Sequence, residues 1–153
     1  MYLPEKYFRG LSSRKKTLRK KEIQARSRLS WKTRAAYTPF STDKNVKTRK
    51  SKYISRWGKI HKGKTSLKDY SRITGVPFTD IKQSYNRGMA AWRTGHRPGA
   101  TQQQWGYARV ASMVTCGKTH YTTDSDLVRH AKKKSAKARQ WFRKTCKSSR
   151  SKE

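Results

Sequence analysis

Acidic residues are the scarcest class in this sequence: 8 Asp+Glu stand against 40 Lys+Arg in 153 residues, giving a formal net charge of +32 and a pI near 10.9. Self-repulsion at that charge opposes a compact state until a polyanion or an acidic protein face neutralises it, so the expected partner is negatively charged. Apolar residues are also few. At 32% they fall well below the roughly 45–50% of ordinary globular domains, which excludes a large buried core. The longest uninterrupted apolar run is Met89-Ala90-Ala91-Trp92, far short of the roughly 20 residues a bilayer requires, so no membrane span is expected. The start, Met1-Tyr2-Leu3-Pro4-Glu5-Lys6, has no apolar signal segment, and a reducing compartment is expected. Cysteine occurs only as Cys116 and Cys146, which read as two free thiols rather than as a disulfide framework.

Charge divides the chain. Residues 1–64 carry 21 Lys+Arg against 3 acids, residues 65–130 carry 9 against 4, and residues 131–153 carry 10 against 1. The expected organisation is therefore a basic N-terminal arm over 1–64, a helical core over 65–130 and a basic C-terminal helix or tail over 131–153. In the arm, Ser12 or Ser13 caps a helix running to about Ser27, while residues 38–64 lack periodicity and read as irregular chain. The core opens with Leu67, Tyr70 and Ile73 at helical spacing, stopped by Gly75. A second helix follows with Phe78, Ile81, Tyr85, Met89 and Trp92 on one face. Thr101 with Gln104 forms a capping-box pattern ahead of Trp105, Ala108, Ala111 and Val114. Residues 118–123 are β-prone and read as one short strand or a turn, and Asp124 or Ser125 caps a last helix through Leu127, Val128, Ala131, Ala138, Trp141 and Phe142. The fold class expected is mainly α: a helix-turn-helix-like hairpin plus two further helices, with a long, basic, largely irregular N-terminal extension.

The segment Gly58-Lys59-Ile60-His61-Lys62-Gly63-Lys64-Thr65 formally satisfies the P-loop rule. That loop needs an apolar strand before it and a metal-holding Asp at the end of a second strand, and neither pattern is present, so it reads as a basic turn. Cys116, His120, His130 and Cys146 are zinc-ligand types at intervals that match no common zinc site, and neither a metal nor a cofactor is expected. No nucleophile-elbow signature accompanies the few acids, and no enzyme is expected.

Polyanion binding has more support. Gly75, Val76 and Ile81 fall where a DNA-reading helix-turn-helix places its turn and packing residues, with small Ser71 before them. Its second helix would present Thr79, Lys82, Gln83, Asn86 and Arg87, against the adverse charge of Asp80. Arg93, His96 and Arg97 flank a glycine turn beside the next helix N-terminus, which is a candidate anion seat. The candidate polyanion-binding residues are Arg14, Lys15, Lys16, Arg19, Lys20, Lys21, Lys47, Arg49, Lys50, Lys52, Lys82, Arg87, Arg93, Arg97, Lys132, Lys133 and Lys134. Tyr37, Phe40, Tyr53 and Trp57 punctuate the arm and are the candidate partner anchors, whereas Trp92 and Trp105 fall on apolar helix faces and read as core.

Tyr2-Leu3-Pro4, Arg9-Gly10-Leu11-Ser12, Lys50-Ser51-Lys52, Thr74-Gly75-Val76 and especially Arg97-Pro98-Gly99-Ala100-Thr101 leading to Trp105-Gly106-Tyr107-Ala108-Arg109-Val110-Ala111-Ser112 carry a resemblance. Over most of residues 1–130 the chain resembles a family of small basic proteins of large DNA viruses of algae and protists, chlorella-virus and mimivirus-like, with no established activity. The resemblance implies a viral origin and supplies no site residues. Two functions fit: a minor capsid or internal cement protein contacting capsid proteins or packaged double-stranded DNA, and a DNA-binding protein that condenses or regulates viral DNA. The expected location is the virion, and the host cytoplasm or nucleus before assembly.

Overall fold

The computed structural model describes residues 2–30, 32–45, 47, 50–95 and 100–150, apart from the side chains of Lys6, Thr94, Gly95 and 147–150. Among the described residues the secondary structure is entirely helical. The elements are α1 (Ser13–Ser27), α2 (Lys52–Ile60), α3 (Leu67–Thr74), α4 (Phe78–Gly95), α5 (Gln102–Val114), α6 (Lys118–Tyr121), α7 (Ser125–Lys134) and α8 (Ala136–Arg150). Short 3-10 turns lie at Glu5–Tyr7, Arg34–Tyr37 and Ser41–Asp43. The chain forms two compact units, one from Met1–Arg49 with Gly88–Trp105 and the other from Lys50–Arg87 with Gly106–Glu153.

In the first unit, Ile23, Ala36, Phe40 and Trp92 are buried, and Phe40 stacks on Trp92 with ring centroids 6.0 Å apart. The irregular extension expected of residues 1–64 is not what forms. Arg19 of α1 is fully buried, donating from Nε to the Thr42 hydroxyl and pairing through Nη2 with Asp43. Glu22 accepts from the Ser41 amide at 2.8 Å and the Thr42 hydroxyl at 3.0 Å. Polar side chains thus fasten the 3-10 turn to α1 where apolar residues are too few to do so, a long-range pairing that composition does not reveal.

The second unit holds the larger core: Trp57, Tyr70, Val76, Ile81, Val110, Val114, Leu127, Val128 and Phe142 are among its buried members. Residues 52–60, expected to be irregular, form α2 because Trp57 is buried against Tyr70, centroids 4.3 Å apart, and its indole N–H donates to the Lys64 carbonyl at 2.7 Å. The α3–α4 hairpin forms as its spacing predicts. Ser66 and Asp69 close a capping box at the start of α3, and Gly75 ends the helix at φ +76°, a conformation that strains any residue bearing a Cβ. Thr101 and Gln104 exchange the expected reciprocal bonds at the start of α5.

Of two further segments, one takes the turn rather than the strand and the other departs from expectation. Residues 118–121 form a helical turn, because His120 is buried edge-on against Phe142 at 4.9 Å, and packing outweighs the weak β-propensity of Thr and Tyr. The long last helix is two: Ser135 takes an extended conformation and its hydroxyl accepts from the Ala138 amide, capping α8.

Candidate polyanion-binding surface

The fate of the few carboxylates determines what the cations can do. Asp124, fully buried, accepts from the Ser84 hydroxyl at 2.8 Å and from the guanidinium groups of Arg87 and Arg109, the latter through two nitrogens. Arg87 also forms a two-nitrogen fork with Asp126. The bonds with Asp126 and Asp124 raise the Arg87 pKa despite the cost of burial, and the same fork holds the Asp126 carboxyl far below the carboxylate range. Asp69 is held low by Arg72 and Ser66. Asp80 turns inward, with Oδ2 2.8 Å from His130 Nδ1. Burial pushes Glu22 up, but its bonds from Ser41 and Thr42 and the charge of Arg26 leave it below its usual value. With Asp43 paired to Arg19, Glu22, Asp43, Asp69, Asp80, Asp124 and Asp126 all have partners within the chain; Glu5 and Glu153 are the other two of the 8 acids.

The surface cations consequently have few carboxylates left to face them. On α1, Arg14, Lys15, Lys16, Lys20 and Lys21 are exposed, and on α7 so are Lys132, Lys133 and Lys134, with Lys137, Arg139, Arg143 and Lys144 continuing the basic character along α8. Lys47, Lys50, Lys52 and Lys82 are exposed as well. Each unit therefore carries a helix whose outer face is cationic. Lys132, Lys133 and Lys134, in the last turn of α7, gain from its helix dipole.

Other candidates are engaged elsewhere. Arg19 is an internal structural cation whose pKa burial lowers against the pull of Asp43, and Arg87 belongs to the Asp124–Asp126 cluster. Arg93 donates to the Leu29 carbonyl at 2.8 Å and lies 5.6 Å over the Tyr37 ring. Arg49, His96 and Arg97 lie outside the described residues. Of the four expected anchors, Phe40 and Trp57 are buried in the cores of their own units, because each completes an aromatic stack that an irregular arm would not supply. Tyr37 is half-buried beneath Arg93. Tyr53 is half-buried against Gly117, where a Cβ would come within 2.4 Å of its ring.

The glycine–lysine segment at residues 58–65 has no strand before it. Gly58 lies inside α2, His61 packs on Trp57 at 4.3 Å, and Gly63 turns the chain at φ +71°; burial lowers the His61 pKa. At the helix-turn-helix candidate, Val76 and Ile81 are buried and the Ser71 hydroxyl donates to the Val76 carbonyl at 2.7 Å. Thr79, Lys82, Gln83 and Asn86 form an exposed stripe on α4. Its turn is covered, since a Cβ on Gly75 would meet the Lys137 Cβ of α8 at 2.6 Å.

The cysteines are joined. Cys116 and Cys146 form a disulfide with Cα atoms 5.4 Å apart, in place of the expected free thiols. α8 brings Cys146 back to the end of α5, a juxtaposition that a separation of 30 residues does not announce. His120 stands beside it, Nε2 3.7 Å from the Cys146 sulfur. The ligand atoms of Cys116, His120 and Cys146 all lie within 4.8 Å of one another. His130, the fourth zinc-type residue, is instead bonded to Asp80.

These features define a basic, helical, disulfide-bonded protein in which six of the 8 acidic residues have partners within the chain and the lysines of α1 and α7 are exposed. It belongs to a family of unknown function, DUF5824, whose model matches residues 4–130. No curated protein and no solved structure matches the chain. No described helix is long and apolar enough to cross a membrane.

Proposed function

We propose that this protein is a non-enzymatic structural component of a large DNA virus particle that binds the phosphates of packaged double-stranded DNA through its cationic helical faces. The observation that carries this reading is the internal use of the carboxylates. Pairing six of eight acids inside the fold leaves the exposed lysines and arginines of α1, α7 and α8 largely uncompensated. A duplex carries about one negative charge per 1.7 Å of axis and releases counterions to such a face. The burial of Phe40 and Trp57 favours DNA over an acidic capsid protein, because aromatic anchors at the partner surface would be the mark of a protein interface. A sequence-reading role has a narrower basis: on the exposed stripe of α4 the only cation is Lys82, and Arg87 is held by Asp124 and Asp126.

Binding of the full chain to duplexes of different sequence across a salt series tests the proposal. Sequence-indifferent binding should weaken steeply with salt. Replacing Lys15, Lys16, Lys20 and Lys21 with Gln, or Lys132, Lys133 and Lys134 with Gln, should shallow the log–log slope by about 0.9 for each phosphate that the protein no longer neutralises. A residual sequence preference that Gln83→Ala and Asn86→Ala erase would shift the reading to a helix-turn-helix regulator. Absence of binding at moderate salt would replace DNA with an acidic capsid face.

A further inference from the structure

The disulfide sits in surroundings that a purely structural bridge does not need. Cys116 is buried at the end of α5, with 7% exposure, whereas Cys146 is half-buried and lines an open pocket walled by α6, α7 and α8. Three of the pocket's other lining residues are exposed cations: Lys132, Arg139 and Arg143. Arg139 is held in place by a bond from its guanidinium to the Lys132 carbonyl at 2.6 Å, and the Lys132 ammonium lies 5.6 Å over the Phe142 ring. His120 completes the wall, with Nδ1 3.0 Å from the Met113 carbonyl. That carbonyl can only accept, so Nδ1 carries the proton and the Nε2 lone pair faces Cys146. Burial lowers the His120 pKa, with the bond to the Met113 carbonyl opposing it and Lys132 adding to the fall.

We propose that Cys146 is a site of thiol–disulfide exchange, at which an anionic low-molecular-weight thiol held by Lys132, Arg139 and Arg143 attacks the Cys116–Cys146 disulfide. The incoming thiol gives its proton to His120 Nε2 as its sulfur bonds to the Cys146 sulfur. The Cys116–Cys146 bond breaks, its electron pair leaves with Cys116, and His120 returns the proton to that sulfur. One thiol is consumed, one mixed disulfide forms on Cys146, and one thiol appears at Cys116; a second thiol molecule releases Cys146 as a thiol and carries away the oxidised dimer. The attack is directed to Cys146 because the pocket reaches that residue and Cys116 lies beneath it. The cations do two things: they concentrate an anionic thiol and they stabilise thiolate over thiol. Cys146 and all three pocket arginine and lysine positions lie beyond residue 130, where the family match ends.

The oxidised full-length protein is treated at low ionic strength with glutathione, which is anionic, and with cysteamine, which is cationic. Each rate is scaled to that thiol's reaction with a small free disulfide. Intact mass and peptide mapping should show a single adduct on Cys146, with glutathione favoured at least tenfold and the preference collapsing in high salt. The exposed pair Arg139→Gln with Arg143→Gln should retain the disulfide and lose the preference. His120→Gln should slow the reaction near pH 7 and approach the wild-type rate above the thiol's own pKa, where no proton has to move. Adduct on Cys116, equal scaled rates for the two thiols, or reaction only after denaturation would each overturn the proposal.

Discussion

Among the described residues, Asp124 is a point where several polar side chains converge. It has no exposure and answers Ser84, Arg87 and Arg109 at once. Removing it leaves Arg109 and the Ser84 hydroxyl without their carboxylate, while Arg87 keeps its fork with Asp126; deleting one partner of such a buried cluster costs about 3–5 kcal/mol. Asp124→Ala should lower the urea midpoint accordingly, and by more than Asp69→Ala, whose carboxylate closes the α3 capping box and pairs with the exposed Arg72. Tyr70 supplies a pH-dependent effect of opposite origin. Burial, with a smaller contribution from Tyr107, pushes its phenol up to about 12. The folded state then holds a proton that the unfolded state gives up near pH 10. Its stabilising effect is full below pH 10 and is lost as pH rises to about 12. Denaturant unfolding followed over that range should show stability falling, and Tyr70→Phe should flatten the fall. These residues were legible in unequal measure: Tyr70 lay on a helical apolar face, but nothing local to Asp124 links it to Ser84, 40 residues earlier.

Among the elements, the hairpin α3–α4 was the most readable, because capping, periodicity and a terminal glycine all act within a few residues. Gly75 has a double constraint that only α8 reveals. Its φ of +76° penalises a Cβ, and that Cβ would lie 2.6 Å from Lys137 Cβ and 2.9 Å from the Ala138 backbone nitrogen. Gly75→Ala should therefore cost about 2–5 kcal/mol, combining left-handed strain with overpacking; thermal unfolding followed by circular dichroism would measure it. A cost below about 1 kcal/mol would mean that α8 does not cover this turn. α2 and the break at Ser135 were harder to read. Trp57 makes α2 worth forming through Tyr70 and Lys64, and Ser135 trades helix continuity for a cap. In both cases the deciding partner lies outside the segment's own period.

On the scale of the whole molecule, the charge that opposes compaction is met by two devices: internal carboxylate pairing and a covalent tether. The disulfide closes a span of 30 residues, for which chain entropy gives about 3.6 kcal/mol at 25 °C. Unfolding of the oxidised protein and of Cys146→Ser, compared at equal salt, should differ by about 2–4 kcal/mol. Added salt should narrow any further deficit that arises from unrelieved repulsion, because screening acts on the exposed charges. The exposed cationic surface was largely visible from composition, since basic helix faces follow from runs such as Arg14–Lys16 and Lys132–Lys134. Separating its available cations from Arg19 and Arg87 required the fold.

The sequence alone determined the helical class, the extent of α1, the α3–α4 hairpin, the cap of α5 and the strongly basic charge balance, because propensity, periodicity and net charge are local or additive. Only the tertiary structure decided that residues 1–64 carry ordered helices and turns, that Phe40 and Trp57 face inward, that six carboxylates are partnered within the chain, and that Cys116, His120 and Cys146 meet. Those outcomes depend on contacts between residues tens of positions apart, and neither spacing nor composition encodes which distant partner a side chain will find.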